Sequence, residues 1–239
     1  MKELRTTLLQ LKLRGMVEAL DRQTGSADFA ELGFEERLKD LAYAELAKRS
    51  NNRLARLLKS AKFRTPVSPV QIECFPERGL TKPFLADMLT AEWVKSRRNV
   101  VISGPTGTGK TWLACGLGMA AASKGLQVRY FRASHLYEEL AVASAQGVGP
   151  RFRLSLLKQA LLIVDDFGLH PIPVNVQSDF FDLIEARDGT CSTMFSGQLP
   201  FKDWYGFLGN PSAADAILDR VRAQCHFIDL KGESWRKPA

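Results

Sequence analysis

The chain has 239 residues, which is long enough for one α/β domain and a smaller accessory unit. Its composition is typical of a globular protein, with 45% hydrophobic and 25% charged residues. No apolar run approaches the roughly 18–20 residues of a membrane-spanning helix, and the first residues alternate charges with leucines, unlike a signal peptide. We therefore expect a cytoplasmic protein without a membrane partner.

The four cysteines lie far apart in the sequence, and so do the three histidines. Neither set has the short spacings of a zinc site, and the isolated cysteines do not suggest a disulfide framework. This pattern suits a reducing compartment and argues against a metal centre built on His or Cys.

The formal net charge of +7 is unevenly distributed. Residues 1–65 hold 14 Lys or Arg and only 9 Asp or Glu. Between positions 48 and 64 there are seven basic residues and no acidic one. Such a run predicts a polyanionic partner.

Residues 1–64 predict a small all-helical domain, because apolar residues recur there at intervals of three and four. Four prolines then fall between positions 66 and 83. Prolines at this density interrupt regular structure. We therefore predict a linker at 65–83 and a second domain at 84–239.

In the second domain, short apolar segments alternate with helical ones. The predicted strands are 99–103, 127–131, 161–164, 191–196 and 225–230, and the predicted helices are 110–123, 134–145, 151–160, 177–187 and 213–223. Apolar strands bounded by turn residues are typical of a buried parallel sheet. The pattern predicts an α/β fold with a five-stranded parallel sheet in a three-layer αβα domain.

A glycine-rich segment follows the first predicted strand and opens the next helix. Its letters, GPTGTGKT, fit the phosphate-binding pattern GxxxxGK[ST]. The glycines let backbone N–H groups point at a phosphate, the lysine neutralises phosphate charge, and the last threonine hydroxyl is a Mg²⁺ ligand. The predicted nucleotide-binding residues are Gly104, Pro105, Thr106, Gly107, Thr108, Gly109, Lys110, Thr111 and Trp112.

Two adjacent carboxylates follow the third predicted strand, in the letters LLIVDD. We predict that Asp165 lies beside Thr111 and that the two hold Mg²⁺, while Asp166 polarises the attacking water. Two acids that merely cap a turn are the alternative. Because no NKxD-like guanine-reading sequence is present, ATP is the predicted nucleotide.

A helix through the basic run would place positive side chains on one face, opposite apolar positions. Such side chains bind the phosphate backbone of DNA without reading its sequence. A merely solvated helix face is the alternative. The predicted DNA-binding residues are Arg49, Arg53, Arg56, Lys59 and Lys62.

Longer segments of the chain resemble the IstB family, the AAA+ helper ATPases of an insertion-sequence transposition system and relatives of the DnaC helicase loaders. These segments are LKLRGMVEAL, FEERLKDLAYAELAKRSNNRLARLLKSAKF, GPTGTGKTWLACGLGMAA, LLIVDDFGL, SGQLPFKDWY and ADAILDRVRAQCHFIDLKGESWRK. The resemblance runs almost end to end. It implies a P-loop AAA+ ATPase that needs ATP and Mg²⁺, forms an ATP-dependent homo-oligomer on duplex DNA, and assists a cognate transposase in target-site selection or its regulation.

The resemblance also implies roles for single residues. Gln198 matches the sensor that reaches toward the γ-phosphate, with Ser196 as the alternative. Arg220 matches the arginine finger presented to a neighbouring subunit's ATP, and a surface arginine is the alternative. The chain ends soon after the fifth predicted strand, so no C-terminal lid domain is expected. Arg236 is either a substitute for the lid's sensor-2 arginine or a solvated charge.

Two rival functions remain open at this point. A helicase loader of the DnaC type would dock its N-terminal helices on a replicative helicase rather than on DNA. A small-molecule kinase would need an acceptor pocket and an arginine-rich lid, and the sequence shows neither.

Overall fold

A computed structural model describes residues 2–29, 31–74, 76–208 and 211–235. The chain divides into two compact units, Met1–Arg56 and Leu57–Ala239. The boundary falls inside a long helix, so residues 57–64, which we predicted as part of the helical domain, cluster with the second unit.

The first unit is helical. Its elements are α1 (Lys2–Gln10), α2 (Arg14–Gly25), a 3₁₀ turn (Ala27–Phe29) and the first part of α3 (Phe34–Ala61). Helices α2 and α3 approach closely at Gly15, where an added Cβ would lie 2.6 Å from the carbonyl oxygen of Ala44. The buried Glu45 carboxylate accepts the N–H of Gly15 at 2.7 Å and that of Met16 at 3.3 Å. A side chain of α3 therefore caps the amino end of α2.

The second unit alternates strands and helices. Its strands are β1 (Asn99–Ser103), β2 (Val128–Arg132), β3 (Leu161–Phe167), β4 (Ser192–Gly197) and β5 (Cys225–Asp229). Its helices after α3 are α4 (Lys82–Leu89), α5 (Glu92–Lys95), α6 (Lys110–Ser123), α7 (Ala133–Ala145), α8 (Gly149–Leu157), α9 (Val174–Arg187), α10 (Trp204–Leu208) and α11 (Pro211–Ala223). Short 3₁₀ turns lie at Pro69–Gln71, Pro76–Arg78 and Phe201–Asp203.

The five strands form one parallel sheet in the order β2-β3-β4-β1-β5. Helix α6 packs on one face of the sheet, and α7 and α9 pack on the other. This arrangement confirms the predicted three-layer αβα fold. The predicted bounds of α6 match those observed, whereas β3 continues to Phe167 through a register shift between Val164 and Phe167.

The segment between α3 and α4, where a linker was predicted, packs closely on α6. Val67 is buried and its backbone N–H donates to the sulfur of Met119. A Cβ on Gly116 would lie 2.5 Å from the side chain of Ile72. The chain after α3 is thereby held over the first helix of the sheet domain.

The sequence also led to expectations about the cysteines, about membrane-spanning helices and about the chain after β5. All four cysteines are free thiols, and burial raises the pKa of Cys115 to about 11. Across the described ranges, we find no helix both long and apolar enough to cross a bilayer. In the described part of the chain that follows β5, residues 230–235, there is no helix. Arg236 lies outside the described residues.

Candidate nucleotide site

The phosphate loop connects β1 to α6 at the carboxyl edge of the sheet. Gly104, Gly107 and Gly109 have φ angles of 142°, 83° and 91°, a region that favours glycine. A Cβ on Gly104 would meet the carbonyl oxygen of Leu230. The glycines of the motif are therefore needed both for the turn and for the close approach of the chain after β5.

Lys110 is folded onto the loop that precedes it. Its Nζ donates to the carbonyl oxygens of Gly104 at 2.8 Å and Pro105 at 2.7 Å. These bonds keep the ammonium at the mouth of the loop. An anionic phosphate bound by the loop would draw this charge to itself, because charge-assisted hydrogen bonds are stronger than those to neutral carbonyls.

Asp165 is buried where β3 passes Thr111. Its Oδ2 accepts hydrogen bonds from Thr111 Oγ1 at 2.8 Å and from Tyr130 OH at 2.7 Å. Burial, followed by the charge of Asp165, raises the pKa of Tyr130 far above its ordinary value. Tyr130 therefore stays a donor and orients the carboxylate.

A hydroxyl and a carboxylate oxygen so close together are the hard oxygen donors that Mg²⁺ prefers. Thr111 and Asp165 therefore fit the predicted metal site. Among the described residues, no cluster of three or more His, Cys, Asp or Glu side chains offers a metal site.

Asp166 has partners different from those of Asp165 and is paired with two arginines. Its Oδ2 lies 3.3 Å from Arg64 Nη1 and 3.1 Å from Arg132 Nε. Asp166 itself has a φ of 56°, which is uncommon for a residue other than glycine. The left-handed backbone turns this second carboxylate toward the nucleotide cavity instead of along the strand.

A cavity of about 650 Å³ opens over the phosphate loop, and one wall comes from the segment after α3. It is lined by Arg64, Thr65, Gln71, Glu73, Thr106, Gly107, Gly109, Lys110, Thr111, Trp112, Asp166, Gln198 and Trp235. Gln198 thus lies in the wall, whereas Ser196 is fully buried in β4 and its hydroxyl has no hydrogen-bond partner among the described residues. Of the two sensor candidates, only Gln198 is placed to meet a ligand in this cavity.

The chain after β5 crosses the phosphate loop. The backbone N–H of Trp235 donates to the carbonyl oxygen of Gly107 at 3.0 Å. The guanidinium of Arg78 stacks over the Trp235 ring at 4.5 Å, and its Nη2 donates to the carbonyl oxygen of Glu233 at 2.8 Å. Cation–π and hydrogen-bond contacts therefore fix an aromatic ring at the rim of the cavity.

The chain matches the IstB-like ATP-binding protein family over residues 6–239. The chain belongs to this family. An insertion sequence ATP-binding protein of Sinorhizobium fredii is 36% identical over 225 residues, 94% of this chain and 92% of that protein. The insertion sequence IS1162 ATP-binding protein of Pseudomonas fluorescens is 37% identical and covers 81% of this chain and 84% of its own length. A Mycobacterium tuberculosis relative is 32% identical, with 98% and 93% covered.

Two solved structures of replication proteins share this fold. The DnaC helicase loader has a TM-score of 0.57 and 16% identity, and the match covers 69% of this chain and 97% of that one. DnaA from Aquifex aeolicus with bound AMPPCP has a TM-score of 0.58 and 18% identity, and covers 71% and 51%. At these identities the likeness concerns the fold alone. It shows that this IstB-like protein shares their fold.

The predicted arginine finger of this IstB-like protein lies on α11. Arg220 Nη2 is 2.6 Å from Glu185 Oε1 on α9, and its Nη1 donates to the carbonyl oxygen of Ala216. The described residues that line the nucleotide cavity do not include Arg220. Within one subunit, Arg220 and the phosphate loop are therefore not brought together.

The predicted DNA-binding residues of α3 differ in their surroundings. Arg49 Nε lies 2.7 Å from Glu45 Oε1, so its charge balances the carboxylate that caps α2. Arg56 Nε donates to the carbonyl oxygen of Asn52 one turn earlier. Lys59 and Lys62 are exposed, and both cluster with the second unit.

Sequence reasoning missed several residues that contact the two carboxylates. Tyr130 and Arg132 come from β2, and Arg64 follows α3 at a separation of 102 residues from Asp166. Tyr130 and Arg132 could have been identified from the pairing of β2 with β3, because Arg132 lies opposite Asp165 in this pair of parallel strands. Nothing local in the sequence marks Arg64 or Trp235 as part of the site.

Proposed function

We propose that this IstB-like protein hydrolyses ATP to ADP and phosphate, and that ATP drives its assembly on duplex DNA, where it assists a transposase in choosing a target site. The observation that carries the ATPase proposal is the hydrogen bond of 2.8 Å between Thr111 and the buried Asp165. Thr111 in turn lines one cavity of about 650 Å³ together with Lys110 and Asp166. This constellation contains the phosphate-binding, metal-binding and water-polarising groups of phosphoryl transfer, and the arginine finger is the part that it lacks.

Binding of ATP begins at the phosphate loop. Backbone N–H groups around Gly107 and Gly109 and the amino end of α6 receive the β-phosphate. Lys110 leaves the loop carbonyls and contacts the β- and γ-phosphates. Trp112 and Trp235 lie in the wall of the same cavity and exclude water from one side of the nucleotide.

Thr111 and Asp165 would hold Mg²⁺, and Tyr130 keeps the Asp165 carboxylate in place. When bound, the ion neutralises charge on the phosphates. Asp166 accepts a hydrogen bond from the attacking water and draws its proton away, while Gln198 orients the water and the γ-phosphate. In the structure both Arg64 and Arg132 contact Asp166 Oδ2, so a water that uses this oxygen has to compete with the two arginines.

The transposition role rests on the relatives. Those described above carry the words insertion sequence and ATP-binding in their names, at 32–37% identity over most of the chain. We infer a cognate transposase as partner and duplex DNA as the platform, gripped by the basic face of α3. The likeness to the DnaC helicase loader concerns only the fold, so it gives no separate support to a helicase-loading function.

Replacing Lys110 with alanine tests the ATPase proposal. We expect the Lys110→Ala protein to lose ATP hydrolysis and ATP-dependent DNA binding, because the loop loses its mobile cation at the phosphates. The measurement is phosphate release, together with binding of a fluorescent ATP analogue. The control is Lys124→Gln, an exposed lysine at the far end of α6. Normal nucleotide binding and turnover in Lys110→Ala would show that this loop is not the phosphate site.

A further inference from the structure

A second, smaller cavity lies beside the nucleotide site, at the carboxyl end of β2. Its volume is about 290 Å³, and it is lined by Lys62, Arg129, Tyr130, Phe131, Arg132 and His135. Four of these six side chains are of basic type, and no carboxylate occurs among the described lining residues. All six belong to the second unit.

Each of the two arginines donates one hydrogen bond to another part of the protein. Arg129 stacks over the ring of Phe131 at 4.8 Å and donates from Nη1 to the carbonyl oxygen of Ser60 at 2.9 Å. Arg132 uses Nε for Asp166. Because a guanidinium has five N–H donors in a rigid fork, each arginine keeps further donors that can meet the oxygens of an anion.

The third long cation comes from the end of α3. Lys62 follows the last helical residue, Ala61, with a left-handed φ of 55°, and its exposed side chain stands at the rim of the cavity. Helix α7 starts at Ala133 with no side-chain cap and no acidic residue in its first turn. Its unpaired N–H groups add positive potential on the same side of the sheet.

The carboxylates near this cavity are already paired. Glu138 and Glu139 lie 3.3 Å and 3.5 Å from the two ring nitrogens of His135. Burial lowers the pKa of Arg129, and the charge of Glu139 acts against this shift. Asp166 is shared between Arg132 and Arg64. His135 is therefore engaged with protein carboxylates, and the ligands for an added anion are Lys62, Arg129 and Arg132.

We propose that Lys62, Arg129 and Arg132 form a phosphate-binding site for the backbone of duplex DNA, in addition to the basic face of α3. A phosphodiester presents charged oxygens that two guanidinium groups and one ammonium can share without reading a base. Arg153, another basic residue of the sheet domain, forms ion pairs with Asp179 and Asp182. The new site presupposes the proposed DNA binding and assigns part of it to the ATPase unit.

A double-mutant cycle on Lys62 and Arg129 tests whether they hold the same phosphate. The full-length protein is loaded with a non-hydrolysable ATP analogue, and its affinity for a fixed DNA duplex is measured against salt. Each single variant, Lys62→Gln and Arg129→Gln, is expected to reduce the log–log salt slope by about 0.9, the value for one phosphate contact. The double variant is expected to show the same total reduction of about 0.9 as each single variant, because both residues contact one phosphate and that contact is lost only once. Lys124→Gln is the matched control and keeps the slope.

Several results would overturn this site. Unchanged slopes would show that DNA does not reach the cavity, and a double variant that loses about 1.8 would assign the two residues to separate phosphates. Altered self-assembly without DNA would point to a carboxylate of a neighbouring subunit as the occupant. Inorganic phosphate that binds wild type but not Arg129→Gln, with the DNA slope unchanged, would point to a free anion.

Two further variants keep the test decisive. If Arg129→Gln does not fold, Arg129→Lys and Lys62→Glu replace it, and the slope must then fall for Lys62→Glu. A protein with Arg53, Arg56 and Lys59 neutralised must still lose slope when Lys62 and Arg129 are changed. If wild-type protein binds no duplex at all, the DNA-binding function proposed above fails, and this cavity fails with it.

Discussion

At the scale of single residues, the two adjacent carboxylates of β3 have different surroundings, from which we infer different roles. Asp165 is buried and bonded to two hydroxyl groups, whereas Asp166 is partly exposed, turned by a left-handed φ and held by two arginines. The first arrangement suits a metal ligand. The second suits a base that accepts a proton from water while one of its oxygens is shared with two arginines.

Changing Asp166 to asparagine tests this division. We expect Asp166→Asn to bind ATP normally but to hydrolyse it about 10²–10⁴-fold more slowly, since an amide cannot draw a proton from water. Stopped-flow binding and phosphate release measure the two steps separately. Asp203→Asn, which removes an equal charge outside the cavity, is the control. Parallel loss of binding and turnover would instead place Asp166 in the metal shell beside Asp165.

At the scale of elements, α2 and α3 are joined by a carboxylate rather than by apolar packing alone. Burial acts to raise the pKa of Glu45, but hydrogen bonds from Arg49 and from the N–H groups of Gly15 and Met16 bring it below its ordinary value of 4.5. Because the pKa of Glu45 is lower in the folded state, its ionised carboxylate stabilises the folded protein at neutral pH. This stabilisation is lost as the pH falls through the folded-state pKa.

We therefore expect Glu45→Ala to destabilise the helical unit by about 1–3 kcal/mol, because buried backbone donors lose their acceptor. Urea unfolding of the full chain, followed by circular dichroism at neutral pH, measures the loss. Wild type should lose stability when the pH is lowered below 4.5, and Glu45→Gln should lose less over the same interval. Equal acid sensitivity in the two proteins would show that Glu45 does not contribute in this way.

The basic face of α3 consists of Arg49, Arg53, Arg56 and Lys59, four of the predicted DNA-binding residues. Because Arg49 is committed to Glu45, its removal would confuse folding with DNA binding. Neutralising Arg53, Arg56 and Lys59 with glutamine is the cleaner change. We expect weaker binding to all duplex sequences alike and a salt slope smaller by up to about 3, at roughly 0.9 per phosphate contact.

A matched control removes three basic charges elsewhere, with glutamine at Lys95, Lys124 and Lys202. Fluorescence anisotropy across a series of salt concentrations gives the slopes. If the α3 variant keeps the wild-type slope, this face of the helix is only solvated, and the alternative stated from the sequence holds.

The sequence predicted the elements of the sheet domain better than the contacts within its site. Five apolar segments and the glycine-rich motif gave the strands and α6 to within a few residues, because buried parallel strands and phosphate loops have strong local signals. The short helices α4, α5 and α10 were not predicted. Arg64 and Trp235 reach the nucleotide cavity only through the tertiary fold, so no local pattern predicts them.

At the scale of the whole molecule, one subunit does not contain a complete predicted catalytic set. Arg220 pairs with Glu185 and lies outside the described lining of the cavity, so an arginine from a neighbouring subunit would have to complete the site. We expect Arg220→Ala to bind ATP but to lose about 10³–10⁵-fold in hydrolysis, the usual contribution of an arginine finger.

Mixing two inactive variants distinguishes an arginine finger from an arginine with only a structural role. Arg220→Ala and Lys110→Ala, each inactive alone, should recover part of the ATPase activity together, because one supplies an intact phosphate loop and the other an intact arginine. Glu185→Gln breaks the ion pair without removing Arg220 and should remain active. Co-assembly of the two inactive proteins without any recovery would place Arg220 outside the active site.

We propose that ATP drives this protein to assemble on duplex DNA. The most direct measurement is particle mass, determined by mass photometry with and without a non-hydrolysable ATP analogue and a DNA duplex. We expect small species without nucleotide, and DNA-bound oligomers when the analogue and duplex are both present. Lys110→Ala should stay small under all conditions. A wild-type protein whose mass does not respond to nucleotide, or whose nucleotide-bound oligomer ignores DNA, would contradict this account.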